Sequence, residues 1–387
     1  MLAFWVFALA SCAASSPVTD QKGSEGTAAE EGWDQSRLAG AFDLARRYGT
    51  GTLIVLTNGK IVRSMGDIRT PHRVHSVRKA LLSALVGQHV GTGPGKIYLD
   101  ATLAQLGIDD APEPLTSLQK QATVLHLIKS VSGINHGAAG EIPAMTAAKQ
   151  RQLGNAPNVP GTVWAYNNWD YNALTTIFEQ STGLSVAQAF LQGIARPLVM
   201  QDFQPASVFY SQDPSLSMHA KAGFWMSARD LARFGQLYLN KGRWNGKQII
   251  PGDWTERITA DFTPTGQRRL SSGHGYLWWI PCDRESRAAG IPAGTFMASG
   301  FGGQRIVVIP AWETVIVHTV FTDDYFGFCA DWAQGRGFNL DQAATYSRTR
   351  CREPEHSQEP FCRRCRYYTG GDFFVLLKEI IAARTDR

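Results

Sequence analysis

His72-Arg73-Val74-His75-Ser76-Val77-Arg78-Lys79, followed by Ala80-Leu81-Leu82-Ser83-Ala84-Leu85-Val86-Gly87, is the stretch around which the chain is organised. Apolar residues at 77, 81, 82, 85 and 86 recur with helical spacing, which predicts a helix starting at Ser76 with one face in the core. Residues three apart on a helix lie one above the other, so Ser76 and Lys79 can touch. A serine in a first turn also lies near unpaired backbone N–H groups and the positive end of the helix dipole, which favours a developing oxyanion. Ser-x-x-Lys in this setting pairs a hydroxyl nucleophile with an amine base one turn on. A second match, Ser117-Leu118-Gln119-Lys120, sits in a Pro-rich polar stretch with no apolar helix behind it and reads as a loop and helix start. For Ser76 the structural alternative is an N-cap serine beside a solvated lysine.

With 387 residues, 44% hydrophobic content and eleven tryptophans, the chain can bury a large core, either as one domain with two lobes or as two domains. Its net charge of +5 is spread out except for a basic cluster near 347–366, and no stripe of Lys and Arg interleaved with aromatics points to nucleic acid. Residues 2–10 form an apolar segment too short for a normal transmembrane span, ending at Ser11-Cys12. This resembles a secretory signal, although only the terminal amine stands where a basic region is usual. Leu9-Ala10-Ser11-Cys12 resembles a bacterial lipobox, in which Cys12 is lipidated after cleavage. The expectation is an exported protein, periplasmic or anchored in a bacterial envelope as a lipoprotein, with 1–12 as signal and 13–33 as a flexible tether.

Gln35 to Tyr48 carries the apolar spacing of an amphipathic helix, Gly51 to Leu56 reads as a strand, and Asn58-Gly59 turns it into a second strand over 61–65. From about 80 to 270 the pattern is mostly helical and loop-rich, with helical segments at Asp100–Leu106 and Thr123–Ser130. A longer helix is predicted from Ser227, its N-cap, through Tyr238, and a hairpin-like turn at Asn245-Gly246. Strands return at Gly275–Ile280, Thr295–Ala298, Gln304–Ile309 and Thr314–Phe321, and Phe373–Ala383 is a last amphipathic helix. Helix and strands at both ends with helices between imply an α+β architecture, an antiparallel sheet closed by the two termini with an inserted helical lobe. The main domain then spans 34–387, with 34–80 and 270–387 as the α/β lobe and 81–269 as the helical lobe.

Two further segments complete a candidate site. Tyr166 in Tyr166-Asn167-Asn168 can act as a proton shuttle if a nearby cation lowers its pKa, and Asn168 offers an amide to a substrate carbonyl. Tyr238-Leu239-Asn240 repeats the pattern, but at the end of an ordinary helix. The glycines of Ser299-Gly300-Phe301-Gly302-Gly303-Gln304 permit close backbone approach to a ligand and an oxyanion-hole N–H, or alternatively a β-bulge or turn.

Ser76-Val77-Arg78-Lys79, Tyr166-Asn167-Asn168, Ser227-Ala228-Arg229-Asp230-Leu231-Ala232-Arg233-Phe234-Gly235 and Gly300-Phe301-Gly302-Gly303-Gln304, in this order, resemble the serine β-lactamase and penicillin-binding superfamily. The likeness is greatest to class C β-lactamase-related hydrolases, which include family VIII esterases and 6-aminohexanoate-dimer hydrolases. It runs from about residue 40 to 325 and resumes at the final helix. It implies the superfamily's fold, with Ser76 as nucleophile, Lys79 as base and Tyr166 as proton relay. Asn168, Phe301 and Gly302 are the expected substrate-binding residues. No metal or organic cofactor is needed.

Penicillin-recognising members carry Lys-Thr-Gly on the strand beside the serine, and here Thr295 to Phe301 offers no cation. Lys221-Ala222-Gly223 is the nearest imitation, but it precedes the Ser227 helix and reads as structural. The expected activity is therefore hydrolysis of neutral short acyl esters or small linear amides through an acyl-enzyme on Ser76. The alternatives are a β-lactamase or D,D-peptidase acting on β-lactams or peptidoglycan peptides, and a non-catalytic envelope binding protein of the same fold. His72 and His75 read as packing or hydrogen-bonding residues.

Residues 329–370 are an atypical Cys- and Arg-rich insertion. Cys351, His356, Cys362 and Cys365 could form a Cys3His zinc site. In an exported protein disulfides among Cys329, Cys351, Cys362 and Cys365, with Cys282 as a further candidate, are the commoner outcome, and sequence leaves their pairing open.

Overall fold

The computed structural model describes residues 25–385. Its centre is an eight-stranded sheet, antiparallel throughout, in the order Lys60–Met65, Thr52–Thr57, Thr314–Thr319, Gln304–Ile309, Phe296–Gly300, Trp278–Ile280, Gly273–Gly275, Thr263–Pro264. The first strands of the chain pair with the last, Ile54 opposite Val317 and Val55 opposite Ile316, so the fold closes only when both ends are present.

The central strands are buried on both faces, and their side chains sort by the strand period of two. Leu53, Val55, Val307 and Ile316 pack under the helices Gln35–Tyr48 and Gly370–Ala382. Ile54, Leu56, Ile306, Val308, Val315 and Val317 face the larger core, shared with the helices Arg78–His89, Asn168–Thr182 and Ala228–Leu239. Arg78–His89 is buried from Arg78 through Gly87, so the residues that open it are held on all sides.

Several local expectations change. Asp100–Leu106 forms turns rather than a helix, because Leu103 N–H donates to Ala122 O and Ala104 N–H to Lys120 O, which removes donors a helix would need. Thr123–Ser130 shortens to the helix Val124–Ile128, capped by Thr123 and followed by Ser130 with φ 57°. Gly275–Ile280 is a tight hairpin rather than one strand: Tyr276 and Leu277 turn at φ 51° and 72°. The helical lobe also contains a hairpin, Val208–Asp213 with Ser217–Met226, whose far end pairs with His72–Arg73 beside the nucleophile. Asp110 anchors that hairpin by accepting from Ser217 Oγ (2.8 Å), Met218 N–H (3.0 Å) and Trp169 Nε1–H (2.6 Å).

Within residues 25–33, expected as the end of a tether, Ala28, Glu31 and Trp33 are buried. Glu25–Glu30 is helical, and buried Trp33 donates from Nε1 to Thr57 Oγ1 at 3.0 Å. The signal, Cys12 and the rest of the tether lie outside the described residues. No helix among the described residues is long and apolar enough to cross a membrane.

The Cys-rich segment forms a third core. Short helices at Phe328–Gln334, Leu340–Thr349 and Pro360–Arg364 surround two disulfides, Cys329–Cys365 and Cys351–Cys362. All three cysteines of the conceivable zinc set are thus bonded to sulfur, which leaves no thiolate for a metal. Cys282 stays free, so it takes no part in the pairing. Closing loops of 36 and 11 residues stabilises the folded segment by roughly 3–4 kcal/mol each on chain-entropy grounds. Denatured, unreduced protein should therefore react with Ellman's reagent at no more than two of its six cysteines, Cys12 and Cys282. Four reactive thiols would exclude this pairing.

Candidate active site

Ser76 lies in the 3₁₀ turn His75–Val77, and the α-helix proper begins at Arg78. The turn is entered through His75 with φ 48°, a left-handed conformation that costs a non-glycine residue energy and is held by its surroundings. Two contacts hold it. His75 Nε2 is 2.7 Å from Thr322 Oγ1, and its ring meets the edge of Phe301 at 5.5 Å. Burial lowers the His75 pKa to about 3, so the ring is neutral and serves as a hydrogen-bonding and packing group.

Lys79 Nζ donates to Ser76 Oγ at 2.7 Å and also hydrogen-bonds the Tyr166 hydroxyl. The lysine is 2% exposed. Its ammonium has no carboxylate partner among the described residues; Nζ instead lies 4.4 and 4.6 Å from the ring centroids of Tyr166 and Tyr171. Desolvation, and then the nearby charges of Arg78 and Lys221, hold its pKa well below the ordinary 10.5. A neutral amine one hydrogen bond from a serine hydroxyl can take its proton.

Tyr166 does not meet the condition of a cation-lowered pKa. Burial pushes its pKa up to about 12, and this outweighs the pull of Arg78 and Arg305. It is a neutral phenol, a donor and relay rather than a phenolate. Its ring stacks on Trp279, with centroids 5.4 Å apart. Asn168 follows the N-cap Asn167, donates from Nδ2 to Gly140 O at 3.0 Å and leaves its Oδ1 without a partner.

The strand Phe296–Gly300 brings the glycine loop against the nucleophile. A Cβ on Gly300 would fall 2.3 Å from Val74 O and 3.3 Å from Ser76 N, so only glycine permits this approach. Gly302 has φ 72°, and a Cβ there would meet Thr322 at 2.4 Å. The arrangement sets the backbone of Ser76 beside that of the Gly300–Phe301 loop, where two N–H groups could hold an oxyanion. Ser117 lies in a separate loop, and Lys120 of that second Ser-x-x-Lys pairs with Asp109 at 2.5 Å.

Ser76 stands between two cavities. The larger, about 400 Å³, runs along Tyr166, Trp279, Ser299–Gly302 and Arg305 and is walled by Ala344 and Tyr367–Gly370 of the Cys-rich segment. The insertion is therefore part of the site. The smaller, about 60 Å³, is lined by Arg73, Arg78 and Lys221, with Asn168, Ile142, Met145, Phe209, Phe224 and Phe301. Lys221 does not fit its reading as structural, and the site is not free of cations. The hairpin strand Ser217–Met226 carries Lys221 across to the nucleophile, a long-range pairing that its sequence neighbourhood does not announce. Arg305 is engaged by backbone, donating from Nη1 to Gly300 O (2.6 Å) and Gln304 O (2.8 Å). On the hairpin Gly273–Ile280, Tyr276 and Trp278 are core residues, whereas Trp279 reaches the cleft.

Gly300→Ala should push the glycine loop off Ser76 and lower kcat/KM on an aryl ester about 10²-fold, as expected for an ångström-scale misplacement of reacting groups. Unchanged turnover in a folded Gly300→Ala protein would show that this approach is not needed.

Comparison with known proteins agrees with this fold. The chain is 24% identical over 261 residues to an uncharacterised protein of Alkalihalophilus pseudofirmus, covering 60% of this chain and 74% of that one. Among solved structures, a Bacillus anthracis protein assigned as a 6-aminohexanoate-dimer hydrolase superposes with a TM-score of 0.50 at 22% identity, over 78% of this chain and 82% of the other. EstCE1, a hydrolase with promiscuous acyltransferase activity, superposes with a TM-score of 0.51 at 15% identity, over 75% and 95%. At such identities these likenesses establish the fold. A model of the Beta-lactamase family matches residues 28–335, and the chain belongs to that family.

Proposed function

We propose that the protein is a serine hydrolase that cleaves small ester or linear amide substrates through an acyl-enzyme on Ser76. The observation that carries this reading is the 2.7 Å contact between Ser76 Oγ and a buried Lys79 whose amine also bonds Tyr166. Lys79, neutral, takes the Ser76 proton as Oγ attacks the carbonyl carbon. The oxyanion forms beside the backbone N–H groups of Ser76 and the Phe301 loop. Collapse breaks the bond to the alcohol or amine, which leaves with a proton passed through Tyr166. Water then enters, gives a proton back along the same relay, and releases the acid. A binding protein of the same fold would have no use for an unpaired buried lysine against a serine, since burying it costs stability.

Esters and linear amides are favoured over β-lactams because Phe296–Gly300 presents no lysine and Arg305 is engaged by Gly300 O and Gln304 O. Losing a charge-assisted hydrogen bond to a substrate carboxylate there costs about 1.5–3 kcal/mol. The disulfides suit export to an oxidising compartment, with Cys12 as the proposed lipid anchor.

Ser76→Ala should abolish labelling by a fluorophosphonate probe while Ser117→Ala leaves it intact; labelling that survives Ser76→Ala refutes the assignment. Lys79→Arg keeps the charge but cannot deprotonate, and a loss of about 10²–10⁴-fold in kcat is expected. The pH profile follows from the two shifts. Activity needs neutral Lys79, so kcat/KM rises with pH through a midpoint well below 10.5 and falls only as Tyr166 ionises near 12. An ascending midpoint at 10.5 or above would contradict a desolvated base. On one preparation, a butyrate ester should be turned over with higher kcat/KM than a cephalosporin, and the reverse order would favour the β-lactamase reading.

A further inference from the structure

The small cavity beside Ser76 gathers three cationic side chains from three separate elements. Arg73 comes from the strand His72–Arg73, Arg78 from the first turn of the nucleophile's helix, and Lys221 from the strand Ser217–Met226. None of the three has a carboxylate within 4 Å among the described residues. Arg78 donates to the Asn172 amide oxygen at 2.7 Å. The Arg73 guanidinium lies 5.0 and 5.5 Å from the rings of Phe209 and Trp225, and its Nε is buried with no hydrogen-bond partner. Lys221 Nζ lies 5.9 Å from the Phe209 ring.

The acids nearby do not supply the missing charge. Glu141 is bound to Lys149 at 2.8 Å, and Asp323, whose carboxyl feels Arg73, forms no ion pair. Asn168 Oδ1, an acceptor without a partner at the cavity wall, is neutral. Like charges around a partly desolvated space repel one another, and burial with the two arginines already lowers the Lys221 pKa to about 8. A cavity lined by cations next to a nucleophile is complementary to an anionic group.

We infer that the small cavity is an anion subsite for the acyl half of the substrate, and that the enzyme acts on short acyl esters or amides whose acyl chain ends in a carboxylate. The inference rests on acylation of Ser76. Size assigns the two sides. The cavity of about 60 Å³ has room for roughly five water-sized groups, which matches a succinyl or glutaryl chain. The 400 Å³ cleft, lined by Trp279, Tyr367 and Tyr368, takes a bulkier or aromatic leaving group. Ile142, Met145 and Phe224 cover the methylenes, and the cations hold the terminal carboxylate. In acylation the Ser76 Oγ–carbonyl bond forms and the bond to the leaving oxygen or nitrogen breaks. The proton moves from Ser76 to the leaving group, and the distal carboxylate stays ionised throughout.

Two measurements test this. The first compares kcat/KM for mono-4-nitrophenyl glutarate with that for 4-nitrophenyl valerate, which has the same chain length without the charge. The wild-type protein should prefer the glutarate half-ester by about ten- to a hundredfold. That ratio should fall at least tenfold in Lys221→Met and be retained in Lys221→Arg. The second uses the wild-type protein alone: free glutarate should slow fluorophosphonate labelling of Ser76, less so at high salt, and neutral glutaramide should not. A preference ratio at or below one, protection by glutaramide equal to that by glutarate, or a ratio unchanged in Lys221→Met would each overturn the anion subsite. If Ser76→Ala is still labelled, the fault lies in the acyl-enzyme reading, which that control separates from a failure of the subsite alone.

Discussion

The burial of the Lys79 amine without a counter-ion is the constraint on which the site depends. In water the amine would be protonated and useless as a base; here removal of solvent, helped by Arg78 and Lys221, favours the neutral form. That removal is achieved by the whole molecule. Lys79 sits in the first turn of a helix that packs against the strand Phe296–Gly300 and against the helices Asn168–Thr182 and Val186–Phe190. The extensive core is thus the means by which one proton affinity is set.

The same packing fixes the partners of Lys79. Tyr166 is held by stacking on Trp279 and contact with Tyr171, and burial keeps its phenol protonated. The Ser76 turn is pinned by His75 against Thr322 and Phe301, and the glycine loop closes to within backbone contact because Gly300 and Gly302 carry no Cβ. Thr322 and Tyr325, which meet Gly302, lead into the disulfide-bonded segment. That segment therefore both braces the glycine loop and forms a wall of the larger cleft. A stretch with little hydrophobic periodicity becomes a site element because two disulfides tie together the small core it builds.

The hairpin of the helical lobe has the complementary effect. Asp110 fixes its start through Ser217 and Met218, and the pairing of Arg73 with Trp225 fixes its end beside the nucleophile. Between those anchors Lys221 reaches the cavity. The positive field around Ser76 is therefore a product of three segments more than a hundred positions apart at the extremes (Arg73 to Lys221).

Local sequence determined a good deal. The helical period after Ser76, the Asn58-Gly59 turn, the Ser227 cap and the β-branched runs late in the chain act through neighbours in sequence, and they yielded the α+β order and the closing of the sheet by both termini. What tertiary structure alone decided has a common cause, the environment supplied by distant residues. Asp100–Leu106 lost its helix to hydrogen bonds with residues 120 and 122. Whether a cation acidifies Tyr166 could not be read from its neighbours in sequence, and in the fold burial outweighs charge there. Lys221 looked structural because its strand pairs out of sight of its sequence neighbours, and the disulfide pairing depended on which sulfurs the fold brought together. Helix periods and caps are short-range properties that a sequence carries with it; dielectric, strand pairing and the meeting of charges are set by what folds against them.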